Sequence, residues 1–244
     1  MKSLFKLPSL CLVMILAVLQ ASCPPKDEAP SAAKKERPKG REKAVRFSHP
    51  KLETQIRRKL GKPEGPLMNT ELTAIKELDL SGKNITELNG LEHCTRLARL
   101  DLGSNYLRDI SPLAGLTNLV LLNLEENYIA DLAPLSGLVK LEELNLRSNR
   151  IRDISPLKDL HNLRILNLAG NQVKDLSPLA RLHQLHRLDL AGNNINDLSG
   201  LVRNCEAGGI SKNDTVVLTG NPMGPNARLR QIPALQECGA EVIY

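Results

Sequence analysis

One phrase recurs in this chain at a spacing of 22 residues, and it constrains the fold more than any other feature. The phrase reads leucine-x-leucine-x-x-asparagine and continues with an apolar residue and an aspartate. Its asparagines are Asn105, Asn127, Asn149, Asn171 and Asn193. A fixed period of this length indicates a solenoid, in which each unit buries its apolar face only by stacking on its neighbours. We therefore predict an elongated stack of repeats.

Strand geometry divides the residues of each phrase between two faces. Because alternate strand residues point to opposite sides, Leu100 and Leu102 face inward while Arg99 and Asp101 face outward. Burial of each inward leucine stabilises the stack by roughly 1.5–3 kcal/mol. The first inward column comprises Leu100, Leu122, Leu144, Leu166 and Leu188. The outward residues are free to carry function.

Two polar columns accompany the leucines. We predict that the asparagines form a structural ladder, since an amide donates and accepts and buried polar groups are normally paired; a binding role is the alternative. Each aspartate begins a phrase such as 109–113, Asp-Ile-Ser-Pro-Leu, which favours a short helix or 3₁₀ turn because proline fits its first position and serine can cap it. An aspartate ladder could suggest metal binding, but capping of local N–H groups explains it better.

Together these columns resemble the 22-residue repeats of bacterial surface proteins such as the internalins, over about residues 47–244. The resemblance implies an α/β solenoid, a leucine-rich repeat horseshoe with a parallel β-sheet on its concave face. It also implies a helical N-terminal cap and an α/β C-terminal cap. We place the repeats at 77–204, with a degenerate first copy that has Lys83 in the asparagine position.

Both ends of a stacked array need covers. In residues 47–76, Leu52, Ile56 and Leu60 recur every four residues before Gly61, which predicts a helix, and a second helix is expected to start near residue 69 or 70.

At the other end, the strand phrase returns at 216–218, which is 28 residues after the preceding copy, with the extra residues in 204–214. We assign 205–244 to a last irregular repeat and a C-terminal cap. This cap should contain a helix through Ile232 and Leu235 and a final strand at 241–244.

The N-terminus has the pattern of a secretory signal over residues 1–22. Lys2 and Lys6 precede an apolar run, 7–19, that is too short to span a bilayer, and small residues lead to Cys23. This arrangement resembles a bacterial lipoprotein signal, which implies lipidation of Cys23 and a membrane-tethered protein at the cell envelope. Ordinary cleavage near residue 21 or 22, giving a secreted or periplasmic protein, is the alternative.

Residues 23–46 have the composition of a disordered, basic linker rich in proline and lysine. They carry eight basic and four acidic residues, and Lys2 and Lys6 add two further positive charges. Because the formal net charge of the whole chain is +6, residues 47–244 are close to neutral. The basic isoelectric point therefore does not indicate a nucleic-acid partner.

The cysteines give little support for a disulfide framework. Cys94 takes an apolar repeat position, which predicts a buried thiol. Cys205 and Cys238 could pair in an oxidising compartment, but sequence does not give their distance. We favour free, buried thiols for both.

No residue pattern indicates an enzyme. His183 and His186 lie three residues apart without a cysteine or carboxylate at a usual metal spacing, and no phosphate-binding loop or nucleophile motif is present in the sequence. We predict no catalytic residues, no metal, no cofactor and no small-molecule substrate.

Function must then lie on the outward surface. Leu121 and Ile165 are apolar residues at outward strand positions, and Tyr106 and Tyr128 follow the asparagine in adjacent repeats. Tyrosine and arginine are enriched at protein-binding hot spots; alternatively, the two tyrosines simply cover the core edge. The predicted protein-binding set is Arg99, Tyr106, Leu121, Tyr128, Glu143, Arg147, Ile165 and Arg187.

These observations predict a monomeric, non-enzymatic module of the cell envelope that binds another protein on its concave face. A glycan is a less favoured ligand. The alternative is an architectural envelope protein that self-associates or spaces other components without a specific groove ligand.

Overall fold

A computed structural model of the chain describes residues 42–244. The predicted signal at 1–22, the lipidation site Cys23 and linker residues 24–41 lie outside the described residues. Across 42–244, no helix has the length and apolar character needed to cross a membrane.

Eight short strands build one parallel sheet in this part of the chain, and two more form a separate antiparallel pair. The strands are β1 Ala44–Val45, β2 Leu67–Met68, β3 Glu77–Asp79, β4 Arg99–Asp101, β5 Leu121–Asn123, β6 Glu143–Asn145, β7 Ile165–Asn167, β8 Arg187–Asp189, β9 Thr215–Val217 and β10 Glu241–Ile243. Within the sheet, β3 to β10 lie in sequence order. The sheet therefore grows by one strand with each repeat.

The strand register stacks equivalent side chains directly on one another. Leu122 pairs with Leu100 on one side and with Leu144 on the other. The inward leucines of this column are at most 1% exposed. The prediction of an α/β solenoid with a parallel sheet on its concave face is confirmed.

The chain returns between the sheet strands through 3₁₀ turns at Leu91–His93, Ser111–Leu113, Ala133–Leu135, Ser155–Leu157 and Ser177–Arg181. Ahead of the second turn, the Ser111 N–H donates to Asp109 Oδ1 at 2.8 Å and the Ser111 hydroxyl donates to Asp109 Oδ2 at 3.0 Å. The aspartate is therefore the cap. The serine, which we expected to cap its own turn, donates to that aspartate because both of its hydrogen-bonding groups face the carboxylate.

The ladder asparagines are buried and join neighbouring repeats. Asn149 Oδ1 accepts a hydrogen bond from the N–H of Ile129 at 3.0 Å. Asn149 Nδ2 donates to the carbonyl oxygens of Leu124, Leu146 and Arg147 at 2.9, 3.1 and 3.2 Å. Equivalent bonds are made by Asn105, Asn127, Asn171 and Asn193. Each amide supplies partners to backbone groups that a turn would otherwise leave unpaired.

The N-terminal cap contains helices α1 (Pro50–Leu60) and α2 (Asn69–Leu72). Leu52 and Ile56 of α1 are fully buried, as the four-residue spacing predicts. Gly61 ends α1 with a left-handed φ of 63°, a conformation that glycine adopts without steric cost.

Ala44 and Val45, which we assigned to the linker, form β1 and pair with β2. Val45 and Phe47 pack against the hydrophobic core as partly buried side chains. The N-terminal cap thus includes residues before the predicted boundary at residue 47. A two-residue strand between charged residues leaves no apolar alternation in the sequence that could identify it.

The C-terminal region replaces the 3₁₀ turn of its repeat with helix α3 (Ser199–Glu206), so the predicted boundary at residue 204 falls inside a helix. A π-helical segment, Ala227–Gln231, leads into α4 (Ile232–Glu237), and β10 completes the sheet. Ile232 and Leu235 are fully buried, as expected for a cover over the last repeat.

Cys205 of α3 and Cys238, directly after α4, form a disulfide with Cα atoms 6.2 Å apart. Our expectation of free thiols at these positions is therefore wrong. Their pairing depends on the packing of α3 against α4, which a separation of 33 residues does not show. Cys94 is free and buried as expected, and burial raises the pKa of its thiol to about 12.

Candidate protein-recognition surface

A groove of about 370 Å³ runs along the outward face of the central strands. The register places Glu143 between Leu121 and Ile165 on neighbouring strands. Ile165 is 38% exposed, and Leu121 is partly exposed. Two aliphatic side chains separated by one carboxylate therefore face solvent on the sheet.

Polar residues at the third position of each strand form much of the groove floor, at Asp101, Asn123, Asn145, Asn167 and Asp189. Asp101 Oδ1 accepts hydrogen bonds from Asn123 Nδ2 at 3.0 Å and from the Gly103 N–H at 2.9 Å. Farther along, Asn145 Nδ2 donates to Glu125 Oε2 at 3.0 Å. Side-chain hydrogen bonds therefore join neighbouring repeats across the floor, between Asp101 and Asn123 and between Glu125 and Asn145.

Arginines lie toward the two ends of the groove. Arg99 Nη1 is 3.3 Å from Glu77 Oε1, an exposed ion pair of the kind that contributes little to stability. Arg187 lines the other end and has no ion-pair partner among residues 42–244. The groove thus has an aliphatic centre and a cation available at one end.

Tyr106 and Tyr128 lie beyond the asparagine ladder, at the edge of the concave face. Their ring centroids are 6.1 Å apart and their planes differ by 10°. They remain 49% and 37% exposed. The guanidinium carbon of Arg150 is 4.7 Å from the Tyr128 ring centroid and that of Arg108 is 6.0 Å from it, both within the range of a cation–π contact.

The residue before each ladder position, which is Lys83 in the first copy and asparagine in the later ones, has a left-handed backbone. This column comprises Gly82, Ser104, Glu126, Ser148, Gly170, Gly192 and Gly220. An L side chain costs roughly 1–2 kcal/mol in that conformation, whereas glycine does not. Ser104, Glu126 and Ser148 line a depression of about 400 Å³ with the two tyrosines, and the Ser104 hydroxyl donates to Glu126 Oε2 at 2.8 Å. Strained side chains therefore cluster beside the tyrosine pair.

The structure separates the predicted protein-binding residues into two groups. The groove contains Leu121, Glu143, Ile165 and Arg187, with Arg99 next to Leu121 in the register. The edge contains Tyr106 and Tyr128, and Arg147 joins it through Glu126, whose Oε1 lies 3.8 Å from Arg147 Nη1. A ligand that contacts both groups must extend across the ladder.

The histidines have no shared site. Within 42–244 there is no group of three or more histidine, cysteine, aspartate or glutamate side chains that could hold a metal ion. His186 Nδ1 lies 2.9 Å from Oδ1 of the buried Asp214, while His183 is exposed. His186 therefore connects β8 to the inserted loop.

A family model that describes two consecutive leucine-rich repeats matches this chain three times, at residues 73–115, 117–159 and 161–203. Together these matches cover just over half of the chain. The chain belongs to the leucine-rich repeat family. Internalin C2 of Listeria monocytogenes is 27% identical, with a TM-score of 0.60, over 81% of this chain and 93% of the internalin structure. A leucine-rich repeat protein of Leptospira interrogans is 25% identical, with a TM-score of 0.56, over 71% of this chain and 50% of that one. Comparison with curated protein sequences gives no significant match.

Sequence reasoning missed Arg108 and Arg150 as neighbours of the tyrosine pair. In this leucine-rich repeat array, Arg150 occupies the position after the ladder asparagine that Tyr106 and Tyr128 occupy in the two preceding repeats. Aligning that column for all copies would have placed Arg150 against Tyr128.

Proposed function

We propose that this leucine-rich repeat chain recognises another protein through the groove on its concave face. The observation that carries the proposal is the exposure of Leu121 and Ile165 on an otherwise polar, hydrogen-bonded floor. Solenoids present extended concave surfaces for binding, and the leucine core is complete without these two outward side chains. An aliphatic centre with charged residues around it is the usual composition of a protein interface.

We further propose that the chain is exported and tethered at the cell envelope by a lipid on Cys23, with secretion as the alternative. The disulfide between Cys205 and Cys238 supports an oxidising compartment. Likeness to the repeats of internalin C2 supports a bacterial source. Neither argument depends on the groove, so localisation and recognition are tested separately.

The groove is tested by capture from envelope and host extracts on the immobilised chain, compared with a Leu121→Glu/Ile165→Glu variant. We expect the variant to lose the captured protein, because two carboxylates would be desolvated at the centre of the interface. The matched control is Val139→Glu, since Val139 is an aliphatic side chain that is 48% exposed outside the groove. Equal capture by the groove variant would refute the site, and a mass that rises with concentration would favour the architectural alternative.

Lipidation is tested by growing cells with a radiolabelled fatty acid and comparing the chain with its Cys23→Ala variant. We expect label and membrane association in the first and neither in the second. An unlabelled chain recovered from the medium would instead favour ordinary secretion.

A further inference from the structure

Three arginines, Arg108, Arg150 and Arg152, lie in the repeats on either side of the one that carries Tyr128. Arg150 and Arg108 lie against the ring, as described above, and Arg152 follows Arg150 in the same repeat. Within residues 42–244, none of the three forms an ion pair. Arg152 Nε donates to Gln172 Oε1 at 2.8 Å, which holds that side chain in place.

Arg150 and Arg152 line a depression of about 410 Å³, which we call the arginine notch. Its lining is Ala130, Arg150, Arg152, Asp153 and Gln172. Ala130 takes the position that is arginine or lysine in three of the four other copies, at 108, 152 and 174, and asparagine in the last, at 196, and its small side chain leaves the space open.

The carboxylate in the notch is already engaged. Asp153 Oδ1 accepts the Ser155 N–H at 2.8 Å, and Asp153 Oδ2 accepts the Ser155 hydroxyl at 2.9 Å. The guanidinium groups of Arg150 and Arg152 therefore present donors that Asp153 does not satisfy. Since arginine has five N–H donors in a planar fork, it binds an incoming carboxylate with two parallel hydrogen bonds.

We propose that the arginine notch receives a carboxylate side chain from an acidic segment of the partner protein, with the Tyr106–Tyr128 pair providing the adjoining apolar contact. This inference rests on the proposed protein recognition and specifies the chemistry of the partner. Unpaired guanidinium groups beside two exposed tyrosines provide the charge complementarity, and both residue types concentrate binding energy at protein interfaces.

The strained column supports this assignment. Ser104 and Glu126 adopt left-handed backbone next to the same tyrosines, where the outer repeats use glycine. Strain that neighbouring repeats avoid is expected to be retained where side chains have a function.

The chain offers a local reporter, because it has three tyrosines and two of them are Tyr106 and Tyr128. The protein is labelled with ¹³C in its tyrosine rings and titrated with a peptide of six glutamates, followed by NMR. We expect the Tyr106 and Tyr128 signals to shift while the Tyr244 signal stays in place. A peptide of six glutamines is the uncharged control and should shift none of them.

Variants then locate the carboxylate. The Arg150→Gln/Arg152→Gln variant should bind the glutamate peptide at least tenfold more weakly. Arg230→Gln, a change at an exposed arginine of the C-terminal region, should leave the affinity unchanged. Ala130→Arg adds a positive charge but fills the notch, so it should also weaken binding. If it strengthens binding instead, the peptide follows diffuse charge and the proposal is overturned.

Other outcomes also overturn the notch. These are equal shifts with the glutamine peptide, no shifts with the glutamate peptide, or tyrosine shifts that only a sulfated oligosaccharide produces. The Leu121→Glu/Ile165→Glu variant separates the two surfaces, because it should lose partner capture and keep the tyrosine shifts. Capture by the unaltered chain without any peptide shift would reject the notch alone.

Discussion

The regular repeats and the C-terminal region solve the same packing problem by different means. In the array, one amide per repeat joins two neighbouring turns, and the bond pattern of Asn149 recurs with each step of 22 residues. In the C-terminal region, where the step lengthens, Asn221 keeps the ladder bonds to Ile195 and Leu190, and Asn204 adds a second buried amide at the start of the insertion. Asn204 Nδ2 donates to the carbonyl oxygens of Leu179 and Leu182 at 2.7 and 3.1 Å, and its Oδ1 accepts the Ile210 N–H at 2.8 Å.

The C-terminal region adds devices that the array lacks. The disulfide fixes α3 to the segment after α4. Gly200 stands where the preceding copies have proline, because a Cβ there would collide with the backbone of Leu176 beneath α3. Repetition can stabilise a chain with one small motif, whereas ending the stack requires close contacts and a crosslink that occur once.

The largest expected effect tests whether both asparagines act alike. Asn149→Ala and Asn204→Ala should each lower the free energy of unfolding by about 3 kcal/mol, because several buried backbone groups lose their partner. Guanidinium unfolding followed by circular dichroism measures this change.

The control is Asn162→Ala, since Asn162 donates one exposed bond to the Val139 carbonyl at 2.7 Å and its loss should cost well under the ladder value. If Asn149→Ala or Asn204→Ala were as stable as the Asn162→Ala control, that asparagine would not have the proposed stabilising role.

Removing the crosslink should distinguish the two regions. A Cys205→Ser/Cys238→Ser variant should lose about 2–4 kcal/mol, because the unfolded chain regains loop entropy. Hydrogen exchange should become faster in 199–244 and stay unchanged in the central repeats. Uniform acceleration along the whole array would show that the C-terminal cap controls global unfolding instead.

A smaller effect concerns the left-handed column inside the array. Glu126→Gly should raise stability by about 1 kcal/mol by relieving backbone strain, and Gly192→Ser should lower it by about the same amount. The Gly192 position has room for a Cβ, so strain alone is measured there. Thermal unfolding measures the change in stability of each variant. Changes of the same sign in the two variants would contradict the role of backbone strain.

The smallest expected effect is a pH dependence where the cap meets the array. Hydrogen bonds from Gln231 and Ser199 lower the pKa of Asp197. Because the folded pKa is the lower one, the stabilisation is present above the unfolded value of about 4 and is lost as pH falls through the folded value. Asp197→Asn should flatten the acid limb of a plot of unfolding midpoint against pH. An identical slope in the variant would argue against this linkage.

Periodicity predicted what each repeat shares. The phrase around Leu100 and Asn105 placed strands, core and turns, because stacking forces equivalent residues into equivalent surroundings. It did not predict contacts that occur once. The disulfide partner of Cys205 and the pairing of Ala44 depend on how caps fold back, and no spacing encodes that. Because side chains alternate along a strand, the sequence placed Leu121 and Ile165 on the outward face. It did not show that they lie in a groove separate from the edge that carries Tyr106 and Tyr128.

The one-strand step of the sheet also gives this surface a fixed scale. Neighbouring strands are about 4.8 Å apart, so equivalent outward residues of adjacent repeats are separated by about that distance. Leu121 and Ile165 lie two strands apart, and Tyr106 and Tyr128 lie one repeat apart. A duplicated or deleted 22-residue unit would therefore move entire contact groups by a whole step without disturbing their neighbours. Gain or loss of a repeat can therefore change the distance between two groups of partner-binding residues without changing the residues in either group.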